Sequence, residues 1–173
     1  MVNRVSNPSV RYSPSFIFPP YAFLPGRDRH PNAEGGYRFQ ILDPKPACID
    51  VAAPFSSDAL RIALDLFNHE FYWESHVYNE ALWNAHGRTG SVAAFLKVLI
   101  KLAAAGVKLK LGEMNPAQLH ITQAHEQLLH LQEKEGSLFL GFSLQALIAG
   151  TQKTKCESII LSGEFFEIHP AWK

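Results

Sequence analysis

The chain has 173 residues, 47% of them hydrophobic, and a formal net charge of zero from sixteen basic and sixteen acidic side chains. This is enough apolar content for one domain that folds without staples, and it excludes the basic excess that nucleic acid and anionic lipid partners select. Cys48 and Cys156 are too few and too far apart for a disulfide framework or a zinc knuckle, and are expected to be reduced thiols.

Arg4 and Arg11 are followed by prolines at 8, 14, 19, 20 and 25 rather than by an unbroken apolar run, so no signal peptide is expected. The longest apolar region, 92–111, contains Lys97, Lys101, Lys108 and Lys110 and makes a poor membrane span. The expectation is a soluble cytoplasmic protein.

Nine of the eleven prolines precede residue 55, so residues 1–55 can hold little helix. Phe16-Ile17-Phe18-Pro19-Pro20-Tyr21-Ala22-Phe23-Leu24 is nevertheless too apolar for a solvated linker. It predicts an extended proline-rich arm packed on the body, its aromatic rings filling grooves. Pro25-Gly26 and Gly35-Gly36 mark turns, and a short strand is expected over 37–42.

Residues 56–173 form the predicted helical domain. Ser56-Ser57-Asp58 caps a first helix whose stripe is Leu60, Ala63, Leu64 and Phe67. Asn68-His69-Glu70 turns the chain into a second helix, about 71–86, stopped by Gly87. A third helix covers 91–111 and ends at Gly112; its Ala103-Ala104-Ala105-Gly106 run allows a neighbour to come close. Asn115-Pro116 starts a fourth helix, 116–134, and a fifth covers 143–153. Ile159-Ile160-Leu161 and Phe165-Phe166-Glu167-Ile168 are expected to dock as an extended C-terminal tail. Short loops imply antiparallel neighbours. The fold class is all-α: antiparallel helical hairpins, about five helices, under an extended arm.

The second helix carries most of the chemistry. At about 100° per residue, Tyr72, Trp73, His76, Asn79, Glu80 and Trp83 share one face. Val77, Tyr78, Ala81, Leu82 and Ala85 lie opposite, with Glu74 among them. Apolar and aromatic residues on both sides predict burial on both sides, which would place His76 and Glu80 inside. A buried carboxylate needs a partner. Either His76 or the Lys97, Lys101, Lys108 stripe of the third helix could supply it, and a pair of Glu74 or Glu80 with Lys101 is expected.

Two readings follow. In the first, His76, Glu80, Trp83 and Lys101 form a buried polar network in a non-catalytic binding or interaction module, with His30, Tyr72, Trp73, Trp83, Arg88 and Lys101 facing the ligand. In the second, the chain is a small hydrolase-type enzyme: Glu80 orients His76, His76 acts as base, Glu74 assists, and Arg88 holds an anionic group. A divalent metal would then sit on His30, His76 and Glu80. There is no His-Glu-x-x-His motif. His120, His125 and His130 are five residues apart and cannot converge from one helix. Gly87-Arg88-Thr89-Gly90 lacks the lysine and strand of a phosphate loop and reads as a tight turn.

The run Phe67-Asn68, Tyr72-Trp73-Glu74-Ser75-His76 and Glu80-Ala81-Leu82-Trp83, followed by 95–106, resembles the domain-of-unknown-function family three-zero-nine. Its core is W-E-x-H-x(3)-E-x(2)-W. Residues 20–26 and His30-Pro31 resemble the N-terminal extension of some bacterial members, so the similarity spans 19–112. It implies a compact all-helical fold and no settled activity. Family members often carry an acid where this chain has Val77, and Gly-His where it has Gly36-Tyr37, which removes two potential metal ligands. The ligand or partner is then a small molecule or a protein, without nucleic acid, membrane or an assigned cofactor, and a homo-oligomer is compatible with the sequence.

Overall fold

The computed structural model describes residues 10–37, 44–154 and 165–171. A single 3-10 turn at Pro54–Ser56 leads into α1 (Asp58–Asn68). The cap is Ser57, whose hydroxyl accepts from the Leu60 N–H at 3.3 Å. Glu70, with a φ of 67°, makes the turn to α2 (Tyr72–Ala85). α3 (Gly90–Leu111) closes on Gly112 in the left-handed conformation, φ 77°, as the sequence predicts.

α4 (Met114–Glu135) starts two residues before Pro116, with Glu113 at the cap position. Pro116 therefore sits inside the first turn rather than opening it, and is tolerated because backbone N–H groups there have no intrahelical partner. Leu138–Phe139 (β1) and Phe142–Ser143 (β2) form a small antiparallel hairpin that the sequence did not announce. α5 (Leu144–Thr154) follows. The strand expected at 37–42 and the tail residues 159–161 lie outside the described residues.

The helices pack in chain order, α1 on α2, α2 on α3, α3 on α4 and α4 on α5, as short loops require. The centre is α3, where Phe95, Leu96, Val98 and Leu102 are fully buried against Leu60, Leu82 and Phe142. At Gly106 α3 comes directly against a side chain of α2. The Tyr72 ring lies over this glycine, and a Cβ there would fall 2.6 Å and 2.7 Å from the ring carbons Cδ1 and Cδ2.

An extended arm has no sheet to satisfy its backbone donors, so buried side chains must do it. Asp65 does most of this. Fully buried on α1, it accepts from Tyr12 N–H at 2.7 Å, from Ser13 N–H at 2.8 Å and from Arg11 Nε at 3.0 Å. The Arg11 guanidinium in turn donates to the carbonyls of Ser13 and Phe16 and lies 4.0 Å from the Phe18 ring centroid. Asn68, one turn further, clamps the tail: it donates to Ile168 O at 3.0 Å and accepts from Ile168 N–H at 2.8 Å.

Arm and tail also meet directly. The Tyr12 hydroxyl lies 2.7 Å from His169 Nδ1, and His169 Nε2 lies 2.7 Å from Glu167. Burial, with Asp65 and Glu167 nearby, pushes the Tyr12 phenol up to about 12. Tyr12 therefore keeps its proton and donates to the ring.

Candidate functional site

α2 has α1 on one side and α3 on the other, and the strip between its α3 contact and solvent carries His76, Glu80 and Trp83. Only part of the expected network forms there. His76 Nε2 lies 3.7 Å from Glu80 Oε2, but the Glu80 side chain is 51% exposed and that of His76 31%. Burial of Glu80 is therefore corrected: no helix covers this edge of α2, so the carboxylate stays in water. The Lys101 pair with Glu74 or Glu80 is corrected too. Lys101 Nζ instead donates to Gln123 Oε1 on α4 at 2.6 Å, because the α3 stripe leans toward α4 at this level.

The lysine stripe itself is as predicted. Lys97 Nζ sits 4.9 Å from the Trp83 ring centroid, with the Arg88 guanidinium 5.0 Å from the same centroid. Arg88 is further held by Asn84 Oδ1 at 2.7 Å. Lys108 pairs with Glu113 at 2.6 Å. Burial first, and then the Lys97 charge, push the Lys101 ammonium below its ordinary value.

His120 of α4 completes the cluster. Its Nδ1 is buried without a hydrogen-bond partner. Burial, followed by the charges of Lys101, Lys108 and His76, pushes its pKa below the usual histidine value. His120 is thus neutral at pH 7. Three helices contribute to one basic cluster: His76 from α2, Lys97 and Lys101 from α3, His120 from α4. Among the described residues no carboxylate pairs with Lys97 or Lys101. Sequence reasoning missed His120, although antiparallel pairing of the third and fourth helices would have set it opposite the lysine stripe. The other two histidines of α4 face elsewhere, His125 toward Thr151 at 2.8 Å and His130 into solvent.

The remaining expected site residues are dispersed. Tyr72 is buried on Phe67 and Phe165. His30 is exposed and meets Trp73 edge-on at 5.7 Å, with Phe23 against both rings. Glu74 points away from His76, fully buried beneath the arm, where Oε1 accepts from Phe23 N–H at 3.0 Å and from the Tyr37 hydroxyl at 2.5 Å. Its Oε2 is buried and unpartnered. Glu74 and His76 therefore cannot serve one reacting centre. Among the described residues no group of three or more His, Cys, Asp and Glu side chains is placed to hold a metal ion. Two clefts of about 450 Å³ and 380 Å³ open beside Pro44–Pro46; Lys45 lines both, with Asp50 and Asp58 in the first and Glu80 in the second, and His76 lines neither.

Glu74 makes a testable prediction. Burial raises its pKa, outweighing the lowering by its Tyr37, Phe23 and own-backbone hydrogen bonds. A carboxyl whose folded pKa is raised binds more protons folded than unfolded, so it costs stability as pH climbs from the ordinary value through the raised one. The urea midpoint of the wild type relative to Glu74→Gln should therefore fall as pH climbs above the ordinary carboxyl value of about 4. A difference that is flat or rises with pH would contradict this assignment.

The comparison with known families can now be set on this geometry. Residues 60–119 match the model of the family described as Domain of unknown function (DUF309). Over this stretch the chain resembles DUF309. The matched segment contains α2, α3 and the start of α4, and with them the W-E-x-H core, the lysine stripe and Gly106. The arm residues that resemble an N-terminal extension lie before the DUF309 segment. No curated protein and no solved structure matches the chain. Among the described residues no helix is long and apolar enough to cross a membrane.

Proposed function

We propose that this chain is a non-catalytic binding module that holds an anionic ligand in the groove between α2 and α4, on a floor made by α3. One observation carries the reading: Lys97 and Lys101 stand one turn apart without a carboxylate between them, one against the Trp83 ring and the other against a neutral amide. Like charges one turn apart on a helix destabilise it. Their position beside His76 and His120 makes them useful only when an anion is present. In this reading Trp83 and Lys101 have the ligand-facing roles expected from the sequence, and His76, expected as a catalytic or metal-binding residue, joins them as a ligand-facing group. Arg88 acts at the rim, by holding the Trp83 ring.

The hydrolase reading has less to stand on, because the Glu80–His76 pair is half-exposed at 3.7 Å and Glu74 is buried against Phe23 and Tyr37 of the arm. The test is chemical-shift mapping of the full chain with malonate, sulfate and phosphate. Perturbations centred on Lys101, His120 and His76, and lost in Lys101→Ala, support the proposal. Shifts spread equally over Lys45, Lys110 and Lys134, or no shifts at all, contradict it.

A further inference from the structure

We infer that the group held in this groove is a phosphomonoester dianion, lying across Lys97 and Lys101 and flanked by His76 and His120. This rests on the binding reading above and narrows its ligand. The charge count of the groove is the first support. Lys108 is neutralised by Glu113, and Glu80 stands beside His76. The two lysines left over are separated by about 6 Å along α3, four residues at the helical rise. That is a backbone spacing; the ammonium groups reach to Trp83 and to Gln123 on either side, and the Lys97 charge still acts on Lys101. Two neighbouring positive charges therefore match one doubly charged group better than a single carboxylate.

Shape is the second support. Donors reach the groove from α2, α3 and α4, three directions that suit a tetrahedral oxyanion with three terminal oxygens. A carboxylate is planar and offers two oxygens. Gln123, which now accepts from Lys101, presents an amide whose N–H₂ is a further donor.

Proton linkage is the third. His120 faces Lys101 and Lys108 on α3 and His76 on α2, whose charges keep it neutral together with its burial. The acids beside two of these groups, Glu80 and Glu113, are engaged with His76 and Lys108. Burial is the larger cause and stays, but a dianion over Lys101 offsets the repulsion and favours the imidazolium, so binding draws a proton toward His120. Phosphate on a free metabolite and phosphate on a modified side chain offer the same chemistry.

The experiment is titration calorimetry on the full chain in two buffers of different ionisation enthalpy. The probes are inorganic phosphate, O-phosphoserine, a phosphoserine peptide with its unphosphorylated twin, and malonate as a dicarboxylate of equal charge. The expected result is saturable binding of the phosphorylated probes, at least about tenfold tighter than malonate. Proton uptake should disappear in His120→Gln, and binding in Lys97→Met/Lys101→Met. If the phosphopeptide binds tighter than O-phosphoserine, the inference holds with a modified protein as source. If O-phosphoserine binds as well as the peptide, it holds with a small metabolite.

Malonate binding as tightly as phosphate overturns the phosphate inference and leaves the anion-binding reading in place. If no probe binds, both fall. Wild-type-like thermal midpoints for the variants ensure that a lost signal reports the groove rather than the fold.

Discussion

Asp65→Ala should lower the stability of the protein by about 3–5 kcal/mol, the range for breaking a buried pair by removing one partner. The Asp65 side chain is fully buried and that of Arg11 is 26% exposed, so little solvent is available to replace what is lost. The substitution strands the Arg11 guanidinium against Phe18 and leaves the Tyr12 and Ser13 N–H groups without an acceptor. In a domain of this size the thermal midpoint should fall on the order of 10 °C. Trypsin should also cut after Arg11 far sooner than in the wild type, since the arm has lost its main anchor. Arg11→Ala should cost less, because Asp65 retains both backbone donors. A cost for Asp65→Ala of under about 1 kcal/mol would mean that the arm is not held through this carboxylate.

Gly106→Ala should also destabilise, against the usual direction for a helix. In an open helix interior the exchange gains roughly 1 kcal/mol in propensity. Here the new methyl enters the Tyr72 ring, which is itself wedged against Phe67 at 5.2 Å and Phe165 at 5.8 Å and has no room to yield. Overpacking of this kind costs about 1–3 kcal/mol, and Gly106→Val should cost more. Adding Tyr72→Leu should recover part of the Gly106→Ala loss, because the two positions share one contact. If the double variant is simply the sum of the two single ones, the α2–α3 crossing does not rest on this contact.

The helices were legible because their signals are local. Ser57, Gly112 and the small-residue run ending at Gly106 each mark a feature that the structure contains. The arm's aromatic content announced that it packs, and its Phe23 is buried. What the sequence could not place was the burial of individual carboxylates. Glu80 and Glu74 sit on the same helix. Amphipathic pattern assigned Glu80 to the interior, yet Glu74 is the buried one, because Phe23 and Tyr37 of the arm close over it while Glu80 stands half-exposed beside a cleft. That depends on the path of an extended segment, which leaves no periodicity to read.

Asp65 and Asn68 gave a signal that went unused. Both interrupt the apolar run Leu64-Asp65-Leu66-Phe67-Asn68, where a polar side chain must be meeting buried backbone. The lysine stripe was legible as a stripe, but its partner was not. Charge pattern suggested the acids of α2, while the fold turns Lys101 to Gln123.

The most direct test of the account is the urea midpoint of Lys97→Met/Lys101→Met, with and without phosphate. If the two lysines are there for a ligand, replacing them should leave the midpoint without phosphate at or above the wild-type value, since a repulsion is removed. The rise that phosphate produces in the wild type by binding the folded state should be absent in the variant. A variant that is less stable without phosphate, and shows the same phosphate-induced rise as the wild type, would make the lysines part of the scaffold and contradict the proposed binding groove.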